Sequence, residues 1–204
     1  GPLTEFQIGE ALKRLRRMVP SGPRDVVNVD RTIRETIRNA GEIEIMFDRR
    51  LADRLKIILM IDNGGWSMDP YIGMVQTLFN YARSQFKELN IYFFHNTIYS
   101  RVWTDPQRRG APMLLDDFSR MDPESRLIIV GDASMAPYEL SYANGSIYLD
   151  QPEMRASIDW LKFLAGTFRH AAWINPVQES EWDYTWTIRA IRQVFPMFEL
   201  NLDG

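Results

Sequence analysis

From residue 56 onward the chain alternates two kinds of apolar pattern. Residues 56–62, KIILMID, are a continuous apolar run that stops on an aspartate, as a strand covered on both faces should. Residues 70–86 follow with helical spacing, bringing Ile72, Val75, Leu78, Phe79, Ala82 and Phe86 near one stripe. The alternation then continues. LNIYFFHN (89–96) reads as a strand, and TIYSRVW (97–103) extends it or pairs beside it. RRGAPMLLDDFSRM (108–121) reads as a loop and helix, and RLIIVGDASM (126–135) as a strand running into a loop. Residues 138–142 predict a short helix and 154–168 a longer one. HAAWINP (170–176) predicts a strand ending at Pro176, and 182–195 a last helix.

The first quarter of the chain is different in character. Residues 5–18 have helical spacing, with Phe6, Ala11, Leu12 and Leu15 on or near one face and Lys13, Arg14, Arg16 and Arg17 elsewhere. That basic cluster reads as a solvated helix face, with an acidic partner as the alternative. VPSGPR (19–24) is a linker composition. Residues 30–41 predict a short amphipathic helix, capped by Asp30 and closed by Gly41, and EIEIMFDR (42–49) alternates strictly as an edge strand would. The Gly1-Pro2 start has the look of a removed affinity tag, so a fragment is expected. The expected division is residues 1–24 as tag remnant, helix and linker, and 25–204 as one α/β domain.

Buried strands alternating with amphipathic helices predict β-α-β units. The fold class is therefore α/β: a doubly wound, mostly parallel central sheet with helices on both faces, preceded by a short N-terminal helical extension. In such a sheet, ligands bind outside the carboxyl ends of the strands. Three strand ends carry polar groups there: Asp62, Asp132, and the cluster His95, Asn96 and Thr97.

Composition narrows the chemistry. A formal net charge of −3 supplies no electrostatic reason to expect nucleic acid or anionic lipid. The absence of cysteine excludes disulfides, thiolate ligands and cysteine nucleophiles, and fits a cytoplasmic setting. No run approaches the roughly 20 apolar residues of a membrane-spanning helix, and no signal-peptide pattern is present.

The sequence Asp62-Asn63-Gly64-Gly65-Trp66-Ser67-Met68, followed by a second apolar strand ending in Gly131-Asp132, resembles a von Willebrand factor type A (VWA) domain. VDRTIRETIRNAGEIEIMF (29–47), IYFFHNTIYSRVW (91–103) and WINP (173–176) are similar to its bacterial CoxE-like branch. The resemblance covers most of the chain from about residue 29 onward. It implies a VWA-type Rossmann-like fold and a metal-ion-dependent adhesion site holding Mg2+ through an Asp-x-Ser-x-Ser loop, a second-loop Thr and a third-loop Asp. It also implies a role beside MoxR-type AAA+ ATPases, as an adaptor in protein remodelling or cofactor maturation.

Against that pattern, Asp62 and Asp132 match and Ser67 arrives one place late. Gly64 stands where a serine is expected, and Gly110-Ala111-Pro112 offers no hydroxyl where the threonine should be. Thr97 and Thr104 belong to the preceding strand region and match poorly. The expected metal ligands are Asp62, Ser67 and Asp132, a degenerate set. Trp66 either plugs the loop or anchors a partner, and Met68, Met135 and Tyr138 are expected to extend an apolar rim around it.

Other candidates read more plainly. His95 and His170 are the only histidines; His95 ends a strand, where a backbone-bonded ring and an acid, base or ligand are the alternatives. No zinc cluster, P-loop, G-x-G-x-x-G or hydrolase elbow is present. Asp48, Asp116 and Asp117 fit caps or solvated faces, and Trp160, Trp173, Trp182 and Trp186 fit core or helix-packing positions. The expected function is a non-enzymatic protein-interaction module. The alternatives are a magnesium-dependent enzyme using Asp62 and Asp132, in hydrolysis or phosphoryl transfer, and a purely structural scaffold.

Overall fold

The computed structural model describes residues 55–145 and 153–200. The expected helices at 5–18 and 30–41, the linker, the 42–49 strand with Asp48, and the boundary at residue 24 lie outside the described residues.

β1 (Lys56–Gly64) is buried along nearly its whole length, and its alternation divides the core in two. Ile57, Leu59 and Ile61 join Met74, Val75 and Leu78 of α1 (Ile72–Gln85) on one face. Ile58 and Met60 join Leu161 and Leu164 of α3 (Ser157–Thr167) and Ile188 and Ile191 of α4 (Trp186–Arg192) on the other. A strand with helices against both faces has no solvent side, which is why its sequence is apolar at consecutive positions.

The remaining strands are β2 (Glu88–His95), β3 (Arg101–Val102), β4 (Met113–Leu114), β5 (Arg126–Val130), β6 (His170–Asn175) and β7 (Met197–Glu199). The main sheet has the order β2-β1-β5-β6-β7, and each of its neighbouring pairs is parallel. This is the doubly wound α/β architecture that the pattern predicts. The chain leaves β1 for β2 on one side and returns to β5 on the other. The point where the winding reverses therefore lies between the carboxyl ends of β1 and β5, the place where such sheets open a crevice.

Three local expectations change. The helix expected within 108–121 is the two-residue strand β4, paired antiparallel with β3, followed by a 3-10 helix (Leu115–Arg120). Two more 3-10 turns, Trp66–Tyr71 and Glu179–Tyr184, precede α1 and α4, and the short α2 spans Pro137–Ser141. β7 lies beyond the last predicted helix. Its three residues are all only half-buried, so it leaves no apolar run to read.

Candidate functional site

Asp62 pairs with Phe94 of β2, yet Gly64 already pairs with the next residue, His95. Asn63 is thus an extra residue in β1, a bulge that bends the strand end. The two glycines that follow are set by β2. A Cβ on Gly64 would run into the ring of His95, and one on Gly65 would run into the Asn96 side chain. Gly65 also has φ 82°, a left-handed backbone that suits glycine. A side chain at residue 64 is therefore excluded by the imidazole that occupies its space.

Asp62 is 2% exposed. Its Oδ1 accepts hydrogen bonds from the Gly64 and Asn96 amides, each 3.1 Å. Its Oδ2 is buried and finds no hydrogen-bond donor among the described residues. Burial, then the neighbouring Asp132 carboxylate, push its pKa up to about 7 against the opposing amides and Arg108. Asp132 is equally buried and its pKa is likewise raised by burial, with the Ser67 hydroxyl and the Ser134 amide (3.0 Å) donating to its carboxylate. Asp62, Ser67 and Asp132 thus come together at the switch point. His95, beside them, has its pKa lowered, first by burial and then by Arg108, so its ring favours the neutral form.

The Asp132 loop is fixed from behind by three side chains. Trp173 Nε1 donates to the Gly131 carbonyl (2.8 Å), Asn175 Nδ2 to that of Asp132 (2.9 Å), and Thr187 Oγ1 to that of Ala133 (2.7 Å). This clamp holds Ala133 at φ 57°, unusual for a residue with a Cβ. The middle loop is tied in similarly. Asn96 Nδ2 donates to Glu139 Oε1 (3.3 Å), and Glu139 Oε2 accepts from the Ala136 amide (2.9 Å). Asn63 meets Arg108 and the Pro106 carbonyl through its side-chain amide.

The apolar rim needs correction. Trp66 is 92% exposed and Tyr138 is half exposed, but Met68 and Met135 are buried in opposite cores. Trp186 is not a core residue either; it is 47% exposed. Trp160, Trp173 and Trp182 are buried as expected. Of the large apolar side chains that stand exposed, Trp66, Ile72, Tyr138, Tyr142, Tyr184 and Trp186 all lie in the segments leaving the carboxyl ends of β1, β5 and β6. Tyr142 and Tyr184, at the ends of short helical turns, and Trp186, at the start of α4, were missed because helical spacing does not say which residues the neighbouring elements cover. A cavity of about 340 Å³ opens between α1 and β2, lined by Ile61, Asp62, Met68, Val75, Phe79 and Phe93.

Other sequence candidates lie elsewhere or are engaged. The Thr97 hydroxyl is bonded to Ser157, which in turn donates to the Ile98 carbonyl (2.6 Å). Thr104 is exposed. Asp116 and Asp117 begin an outlying 3-10 turn, where Asp117 lies 3.8 Å from Arg120. His170 lies 3.8 Å from Glu124 at the opposite edge of the sheet.

Among the described residues no group of three or more His, Cys, Asp and Glu is arranged to hold a metal ion. Two carboxylates and a hydroxyl remain, and the buried, donorless Asp62 Oδ2 beside a second carboxylate is an arrangement that a cation would relieve. As hard oxygen donors, Asp62, Ser67 and Asp132 fit a hydrated magnesium ion that keeps water at its other positions. Comparison of the chain with protein-family models, with curated proteins and with solved structures finds no match in any of the three. Among the described residues no helix is long and apolar enough to cross a membrane.

Proposed function

We infer that this chain is a non-enzymatic protein-interaction module of the VWA type, CoxE-like, that works as an adaptor or partner of a MoxR-type AAA+ ATPase. Its contact surface is the carboxyl edge of the sheet, and its adhesion site is degenerate. The observation that carries the reading is Trp66: an indole left almost wholly in water at the switch point, directly after the loop that carries Asp62. Exposed aromatic side chains of this size are costly to solubility and are characteristic of interface centres. The cytoplasmic setting and the ATPase rest on the family resemblance and on the cysteine-free composition.

Within this reading Asp62, Ser67 and Asp132 would hold magnesium, which would supply a positive centre for a partner's oxygen ligand. The donorless Asp62 Oδ2 supports that part of the reading. The test is a calorimetric titration of the chain with a MoxR-type ATPase, with and without magnesium. Trp66→Ala should weaken binding about tenfold or more while leaving the circular dichroism spectrum unchanged. An affinity indifferent to Trp66 would remove the carboxyl edge as the contact surface. Magnesium-stimulated turnover of phosphoesters, abolished by Asp132→Asn, would favour an enzyme instead.

A further inference from the structure

The three segments that leave β1, β5 and β6 are unusual in charge as well as in exposed aromatics. Residues 63–82, 131–145 and 176–188 contain no lysine or arginine. They do contain Asp69, Asp132, Glu139, Glu179, Glu181 and Asp183. Asp69, Glu179, Glu181 and Asp183 are exposed, in the same two 3-10 turns that carry Trp66 and Tyr184. The segments that carry these turns are both tied to the loop after β5. The Ser67 hydroxyl of the first turn donates to the Asp132 carboxylate of the second loop. The clamp of Thr187 on Ala133 joins the third loop to the second in the same way.

Among the described residues the cations lie outside these segments, with Arg83 and Arg189 exposed just past the ends of two of them. Lys56, Arg126 and Arg169 stand at the opposite ends of the strands, and Arg192 closes α4 at its far end. Arg108 and Arg109 mark one margin of the carboxyl edge, where Arg108 is engaged by Asn63. Among the described residues the result is an acidic surface studded with exposed indole and phenol rings, although the net charge of the whole chain is only −3.

We propose that the carboxyl edge docks a basic segment of a partner protein, whose lysine or arginine side chains lie against Trp66, Tyr184 and Trp186 among the carboxylates of Asp69, Glu181 and Asp183. Aromatic faces attract cations, and nearby carboxylates complement them. The partner's apolar side chains have the cavity between α1 and β2, which Asp69 lines, to enter. This inference rests on the interaction-module reading and assigns the partner's chemistry. It differs from recognition of a carboxylate through a bridging metal, which would favour an acidic partner.

Selection of a random peptide library on the immobilised 204-residue chain, in the presence of chelator, tests it. The expected result is enrichment of Lys- or Arg-bearing peptides, whose affinity falls about tenfold in Trp66→Ala and in the pair Asp69→Asn with Glu181→Gln, and falls further as salt rises. All these positions are exposed, so the variants should keep the wild-type circular dichroism spectrum. Enrichment of acidic or uncharged peptides that still depend on Trp66 would overturn the basic-partner inference and leave the interaction module standing. Ligands indifferent to Trp66, or no enrichment over a blank surface, would overturn both.

Discussion

The two ends of this parallel sheet are built on different physics. At the amino edge, opposite charges meet in solvent: Lys56 with Asp122 at 3.1 Å and Arg169 with Glu124 at 3.1 Å, each pair largely exposed. Such pairs contribute about 0–1 kcal/mol. At the carboxyl edge, two carboxylates are buried side by side, one oxygen has no donor among the described residues, and Asn96 and Ala133 sit at positive φ. The buried carboxylates and the left-handed Ala133 oppose stability, and the Gly131–Ala133 stretch is held in place by buried hydrogen bonds from behind. One edge closes the fold, while the other uses stability to hold a surface ready. Strain and like charge concentrated at one edge are what a functional site leaves behind.

The sharpest way to break that contrast is to relieve the carboxylate pair. The folded pKa of Asp62, about 7, lies above its ordinary value of 3.8, so the unfolded chain releases this proton first. The group's contribution is fully favourable below about 4 and is lost as pH rises toward 7. Asp62→Asn should therefore be more stable than the wild type at pH 8, by up to about 4 kcal/mol, with the gap closing toward pH 4. Denaturant midpoints across that range measure it. Saturating magnesium should narrow the gap at pH 8 by stabilising only the wild type.

Next in size is the clamp. Asn175 is fully buried, donates to the Asp132 carbonyl and accepts from the Val177 amide at 2.9 Å. Asn175→Ala leaves both groups unsatisfied and should cost about 2–4 kcal/mol. The same denaturant titration checks it, and amide exchange should rise at Ser134 before it rises at Ile128.

Gly64→Ala tests the steric account of the missing side chain. Its Cβ meets the His95 ring, so about 1–3 kcal/mol should be lost. In a double-mutant cycle, His95→Ala should recover part of that loss. Additive costs would mean the ring yields freely. Smallest of all, Lys56→Ala at the amino edge should change stability by less than about 1 kcal/mol, and less still in high salt.

The framework of the site was legible because its signals are local. An apolar run with helices on both faces must be apolar at every position, so 57–61 and 127–130 announced buried strands, and the aspartates after them announced the carboxyl edge. The change of side between β2 and β5 then brought Asp62 and Asp132 together, as alternating strands and helices implied.

What the tertiary structure alone decided was which side chains are covered. Met68 and Trp66 are two residues apart on one 3-10 turn, yet one is 3% exposed and the other 92%. Met135 turns inward while Tyr138 remains half in water, and Trp186 stands outside a core that its neighbours Thr187 and Ile188 enter. No periodicity separates these cases, because exposure at a helix start depends on what distant segments place against it. The same holds for Gly64, whose missing side chain is explained only by an imidazole 31 residues away in sequence and adjacent in the sheet. Alternation along the chain determined the sheet and its edge; packing between loops determined what that edge presents.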